Sequence, residues 1–304
     1  MELHKKQMHE AAILYYEKKQ TQNEIAQTMG LSRQTVSKML NDAIKEKIVE
    51  IKIYNPDITC SDFEKEIADR FQVQNAIVCP VSNSDESLCR LMAVKKAASY
   101  IKSVIDKGNK KIAISWGRTV RMIVDEMEKC NGEGNVVFPL FGATDQEQDC
   151  FLSNEIARSF ADKTGAELKY AWFPYKPDSI ADCELLKKTS YYQKLTALWD
   201  NIDVAIVGIG NKDIIRIFGK IFGYSEKCVS AVGDISTHFF NEEGEFVELY
   251  ENTLCASVEN LKNASQVIAV ASGDDKVEAI ISALHTGVID TLITDEYTAR
   301  KILD

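Results

Sequence analysis

Residues 21–40 read TQNEIAQTMGLSRQTVSKML, and this stretch decides the fold of the first part of the chain. Thr21 with Glu24 three positions on is a capping box that starts a helix. Ile25, Ala26 and Met29 form that helix's inner face, and Gly30 stops it. Leu31 is the buried turn residue and Ser32 the next N-cap. A second helix then runs from Arg33 through Ile44, with Val36, Met39, Leu40 and Ala43 inward. These are the parts of a helix-turn-helix: a small contact residue (Ala26), a turn that admits positive φ (Gly30), apolar packing positions (Leu31, Val36, Leu40) and polar side chains on the second helix. Arg33, Gln34, Thr35, Ser37 and Lys38 stand near the start of that helix, where a recognition helix meets major-groove base edges. Gln34 suits adenine and Arg33 suits guanine. Thr21, Gln22 and Ser32 lie at two helix N-termini and are expected on backbone phosphates. The competing reading is a three-helix packing or dimerisation module with no DNA partner.

Upstream, Met8, Ala11, Ala12, Tyr15 and Tyr16 recur at helical spacing and predict a first amphipathic helix. Downstream, residues 48–53 (IVEIKI) alternate apolar and polar side chains, which predicts a strand or wing. Tyr54-Asn55-Pro56-Asp57 then breaks the pattern, since proline lacks a backbone donor and biases its predecessor away from helix. The expected division is a winged helix-turn-helix DNA-binding domain at 1–55 and a second domain at 56–304.

That second domain alternates short apolar runs with helical stretches. Strands are predicted at 76–78, 111–114, 136–138, 203–207, 267–270 and 291–293. Helices are predicted at 63–71, 88–104, 118–128, 154–162, 276–284 and 297–303. Such alternation predicts an α/β, Rossmann-like domain with a mainly parallel sheet and helices on both faces.

Charge separates the two parts. The chain of 304 residues carries a formal charge of −10, yet residues 1–55 hold nine Lys+Arg against seven Asp+Glu. An acidic whole excludes a general phosphate-coating protein but permits a locally basic head. The eight cysteines form no C-x-x-C pair and have no nearby His pair, so no zinc site is expected. Met1–Gln7 is charged with no apolar run after it, and no stretch approaches the ~20 apolar residues of a membrane helix. The expectation is a cytoplasmic protein with reduced thiols, no cofactor and no membrane contact.

Several glycine-ended strands carry polar residues suited to a ligand. Gly117 and Thr119 sit between a predicted strand and a helix N-terminus, where backbone N–H groups and the helix dipole favour an anion. Lys276 opens another helix after a glycine turn and could balance that anion. Asp234, an acceptor-only group, suits a sugar hydroxyl. Gly210 ends a further strand. Each also has a plain structural reading: tight turns for the glycines, a turn cap for Asp234, a solvated lysine for Lys276, and core for Trp116.

The chain resembles the SorC family of sugar-binding transcriptional regulators, with the regulators of the Bacillus deoxyribonucleoside type. The resemblance runs essentially end to end. It rests on the helix-turn-helix, the 47–56 passage, Ser115-Trp116-Gly117-Arg118-Thr119, residues 154–166, Val207-Gly208-Ile209-Gly210, Val232-Gly233-Asp234-Ile235, Ser272-Gly273-Asp274-Asp275-Lys276 and residues 292–299. It implies an effector domain related to sugar-phosphate isomerases. That domain would bind a phosphorylated sugar at Gly117, Arg118, Thr119, Gly142, Gly210, Asp234 and Lys276, thereby altering affinity for operator DNA within a homodimer or homotetramer. One departure stands out. Where some members carry an arginine-containing loop for a second phosphate, this chain has Leu140-Phe141-Gly142-Ala143-Thr144-Asp145, so a monophosphate is expected rather than a bisphosphate. Arg118 either compensates or lies solvated. The alternative function is a sugar-phosphate isomerase-like enzyme, for which Asp234, Asp295 and Glu296 are the nominated acids and bases and His238 and His285 the histidines of the body.

Overall fold

A computed structural model describes residues 2–51, 59–106, 108–144, 152–223 and 230–304. Contacts divide the chain into two units, Met1–Ile58 and Thr59–Asp304. The proline break at 54–57 lies outside the described residues, as do Asp145, Cys150 and Cys228.

In the first unit, α1 (Glu2–Ala12) continues into a π-helical turn, Ile13–Glu17, and is followed by α2 (Gln22–Met29) and α3 (Arg33–Lys45). The capping box forms: Thr21 Oγ1 accepts from the Glu24 N–H (3.3 Å), and the Thr21 N–H donates to Glu24 Oε2 (2.7 Å). Gly30 ends α2 at φ 64°, a left-handed conformation in which L side chains are strained. Ser32 caps α3 through the Thr35 N–H at 3.1 Å. Ala11, Ile25, Ala26, Val36 and Leu40 make the small core.

The described part of the 48–53 stretch is a turn rather than a strand. The Ile48 and Val49 N–H groups both donate to the Ala43 carbonyl, at 2.8 and 3.1 Å. Both side chains pack on the cluster of Met8, Met39 and Ala43. Adjacent strand residues point to opposite faces, so a shared apolar target draws this pair out of extended backbone. Residues 52 and 53 lie outside the described residues.

The second unit contains α4 (Ser61–Phe71), β1 (Asn75–Cys79), α5 (Glu86–Ile105), β2 (Lys111–Ile114), α6 (Arg118–Glu126), β3 (Val136–Pro139), α7 (Ser153–Thr164) and β4 (Glu167–Leu168). It continues with α8 (Ile180–Lys187), α9 (Ser190–Trp199), β5 (Val204–Gly210), α10 (Lys212–Phe222), β6 (Gly233–Ile235), β7 (His238–Phe240) and β8 (Phe246–Val247). Last come α11 (Val258–Lys262), β9 (Val267–Val270), α12 (Val277–His285), β10 (Thr291–Asp295) and α13 (Glu296–Leu303). Seven strands pair in parallel in the order β1-β10-β9-β5-β2-β3-β4. Strands buried on both faces must be apolar throughout, and Val267, Ile268, Ala269 and Val270 are all fully buried. Helices α5, α6 and α7 pack side by side, as do α4, α13 and α12, which gives two helical layers.

Strand order fixes the place of the pocket. From β2 the chain steps outward through β3 to β4; from β5 it steps the other way, through β9 to β10. The adjacent strands β2 and β5 therefore form a topological switch point, where the loops at their carboxyl ends diverge and leave a crevice. The hairpin β6–β8 is antiparallel and attaches to the end of β5, with Gly210 opposite Asp234. It closes one side of that crevice, an antiparallel addition that strand–helix alternation does not foretell.

Candidate functional site

The helix-turn-helix unit presents Arg33, Gln34 and Lys38 to solvent, with Gln22, Thr35 and Ser37 half-buried beside them. Gln22, Arg33, Gln34, Ser37 and Lys38 line one shallow groove, and Asn41 and Lys45 extend it along α3. Among the described residues neither Arg33 nor Lys38 forms an ion pair, so both cations are available to an anionic partner. Thr21 and Ser32 are differently placed. Their hydroxyls serve the helix starts, and any phosphate would meet a hydroxyl already engaged in a cap. Asn41 and Lys45 escaped the sequence reading because the expected contacts were confined to the first turns of α3, whereas the groove follows i, i+4 and i+7 along its face.

In the second unit, Gly117, Arg118, Thr119, Gly210, Asp234 and Lys276 come together around the crevice at the ends of β2 and β5. Gly117, at φ 106° and ψ 162°, is the N-cap of α6 and carries no capping side chain. The first N–H groups of α6 therefore lack a side-chain cap, at the positive end of the helix dipole. Trp116 is the floor, its ring meeting Phe141 at 5.4 Å and Phe218 at 5.1 Å edge-on.

Gly142 is a correction. It does not line the crevice. A Cβ there would meet the backbone of Pro174 and Phe173 at 2.6–2.7 Å, and its N–H donates to the Leu254 carbonyl at 2.9 Å. Glycine is needed for the close approach of two chain segments, a cause that a glycine after a strand does not distinguish from ligand binding. Gly210 lines the crevice, yet its reason is also packing: a Cβ would collide with Asp234 Oδ1 and lie 2.7 Å from Ile214 Cγ2. Gly210→Ala is expected to cost about 1–3 kcal/mol of stability by overpacking and to displace Asp234, measured as a lower urea midpoint.

Lys276 is partly buried at the crevice, and its Nζ donates to the Ile209 carbonyl at 2.5 Å. Burial pushes its pKa down, Asp234 and Asp275 oppose that, and Arg90 and Arg118 add to the lowering. Three cations from α5, α6 and the turn before α12 thus feel one another in a single crevice. Among the described residues, Arg90 and Arg118 form no ion pair. Arg90 was invisible in the sequence because nothing local marks a mid-helix arginine that reaches a distant strand end. Asn211, also missed, caps α10 and donates to Asp275 Oδ2 at 2.8 Å, tying two rims together.

Asp234 is 4% exposed and accepts the Thr237 N–H at 2.9 Å on Oδ2. Burial lifts its pKa to about 6; the Thr237 N–H and Lys276 act in the opposite direction. The sign of the consequence follows from linkage. Between pH 3.8 and about 6 the folded carboxyl keeps a proton that the unfolded one has lost. Its contribution to stability is therefore present below that window and is lost as pH rises through it, by about 3 kcal/mol. Asp234→Asn is expected to remove this fall, seen as a flatter stability profile in urea unfolding from pH 4 to 7. Parallel profiles for the two proteins would contradict it.

The nominated acids and bases other than Asp234 lie elsewhere. Asp295 caps α13 and accepts from Ser272 Oγ, Tyr297 N and Thr298 N. Glu296 accepts from Arg300 at 3.4 Å. His238 Nε2 bonds the Ala256 carbonyl at 2.8 Å, and burial lowers its pKa. His285 packs against Phe71. The crevice combines cations and a helix N-terminus with one buried acceptor, an arrangement for holding a polar anion.

A helix-turn-helix followed in the chain by an α/β unit with a crevice at its switch point defines a class of transcription regulators built from a DNA-reading head and a ligand-binding body. The family model described as "Putative sugar-binding domain" matches residues 56–304, and that of Sigma-70 region 4 matches residues 9–46. The chain belongs to the sugar-binding-domain family, as a SorC-family regulator. It is 27% identical to the sorbitol operon regulator of Klebsiella pneumoniae, over 96% of each chain. It is 25% identical to the deoxyribonucleoside regulator of Bacillus subtilis, over 97% of this chain and 96% of that one. The crystal structure of the full-length K. pneumoniae sorbitol operon regulator SorC superposes with a TM-score of 0.75 at 26% identity, covering 98% of both chains. No helix among the described residues is long and apolar enough to cross a membrane.

Proposed function

We propose that this protein is a DNA-binding regulator of carbohydrate metabolism whose operator affinity is set by a phosphorylated sugar in the β2/β5 crevice. One observation carries the reading: Arg90, Arg118 and Lys276 converge with the uncapped N-terminus of α6, opposite the buried Asp234. A phosphate satisfies the cations and the helix N–H groups together. A sugar hydroxyl can donate to Asp234 Oδ1, since Oδ2 is engaged by Thr237. The related regulators of sorbitol and deoxyribonucleoside genes support a sugar as the carbon skeleton.

A monophosphate fits better than a bisphosphate. Phe141, at the position where an arginine would meet a second phosphate, is fully buried beneath Trp116. Operator DNA engages Gln22, Arg33, Gln34, Ser37 and Lys38, and a homodimer or homotetramer supplies the paired heads that specific half-sites require. The protein acts in the cytoplasm, where its DNA is. Six described cysteines are free, as a reducing compartment requires.

Fluorescence anisotropy of labelled promoter fragments, with and without a set of sugar monophosphates and bisphosphates, tests the reading. Its expected result is a shift in DNA affinity with a monophosphate. Light scattering of the same samples tests the oligomer, and a monomer on DNA would contradict it.

A further inference from the structure

One wall of the crevice remains without a role. The turn between β6 and β7 pairs Ile235 with His238 and holds Ser236 and Thr237 between them, at φ 48° and 74°. Positive φ at both central positions is the demand of the tightest hairpin turns, which glycine, asparagine and aspartate meet at least cost. Here a serine and a β-branched threonine occupy them, so the backbone is strained. The Thr237 N–H donates to Asp234 Oδ2, which locks the turn onto the carboxylate that faces the crevice.

Ser236 lines the crevice, is 3% exposed, and its Oγ is buried without a hydrogen-bond partner. Thr237 instead lines a separate cavity, beside Tyr175 and Cys255. Buried hydroxyls are otherwise satisfied with few exceptions. Ser236 thus carries two costs, a left-handed backbone and an unmade hydrogen bond, and glycine would carry neither.

We propose that Ser236 is a specificity-determining residue that hydrogen-bonds a hydroxyl of the sugar, beside the hydroxyl held by Asp234. The inference rests on the phosphorylated-sugar reading and narrows it: the effector is a polyhydroxylated monophosphate, and a counterpart deoxygenated at the carbon facing Ser236 is discriminated against. A buried hydroxyl left unpaired by a deoxy ligand is what makes such discrimination strong.

Titration calorimetry on the full-length protein tests this. The probes are inorganic phosphate, a set of pentose, hexose and alditol monophosphates, and the deoxy counterparts of the tightest binder. Ser236→Ala and Ser236→Gly are expected to weaken that monophosphate at least tenfold, leave inorganic phosphate unchanged, and erase the preference over one deoxy counterpart. Ser236→Gly is also expected to melt above wild type, because glycine adopts φ 48° without strain. Higher stability joined to weaker binding is a signature that a merely structural serine does not give. Both variants binding the monophosphate as tightly as wild type, with the deoxy preference intact, would overturn the inference and leave the phosphorylated-sugar reading standing. Wild-type protein that binds no member of the set would overturn both.

Discussion

Lys276→Met is expected to weaken sugar-phosphate binding by roughly 30- to 1,000-fold, the equivalent of about 2–4 kcal/mol for truncating one partner of a hydrogen-bonded charge pair. The effect is large because the ammonium, held by the Ile209 carbonyl, lines the crevice together with Asp234, whose charge it feels. Stability is expected to move little or to rise. The lysine suffers from its burial in the free protein, and methionine fills the same volume without a charge. Calorimetry and thermal unfolding on one preparation separate the two effects. A variant that binds normally would show that the crevice cations do not hold the anion.

The second large effect belongs to the head. Arg33→Ala with Lys38→Ala is expected to cost roughly 2–4 kcal/mol of operator affinity. The salt dependence is expected to flatten by about one log unit per phosphate contact removed. Both side chains are exposed, lie on one groove of α3 and make no ion pair among the described residues. Their removal therefore leaves the small core of Ile25, Val36 and Leu40 untouched. Anisotropy titrations at several salt concentrations give affinity and slope together. Unchanged affinity would mean that another face reads the DNA.

Much of this architecture was legible because its signals are local. The capping box at Thr21, the left-handed Gly30 and the inward Val36, Met39, Leu40 and Ala43 announce the helix-turn-helix within twenty residues. The strands β2 and β9 coincide with their apolar runs, since a strand buried on both faces has no other composition open to it. The helices α8 and α9 were missed. In α8 only Cys183 is buried, so its sequence shows little periodicity to read. The β6–β8 hairpin was missed because its turn residues, Ser236 and Thr237, are not those that announce a tight turn.

The site was legible in part for the same reason. Gly117, Thr119 and Lys276 each follow a strand, Asp234 lies within the short β6, and all four are marked locally, whereas Arg90 enters from α5 and is placed only by tertiary packing. Gly142 shares the strand–glycine pattern of Gly117 and Gly210 but answers to the Pro174 backbone instead. Pattern identifies where glycine is required; only the fold says by what.

The central claim is that the crevice and the helix-turn-helix are coupled. Two sites linked through one equilibrium must influence each other equally. The decisive measurement is therefore a pair of titrations on one preparation: promoter DNA into protein with and without saturating sugar monophosphate, and the monophosphate into protein with and without that DNA. Coupling requires both affinities to shift by the same factor in the same direction. Two tight but independent affinities would contradict it.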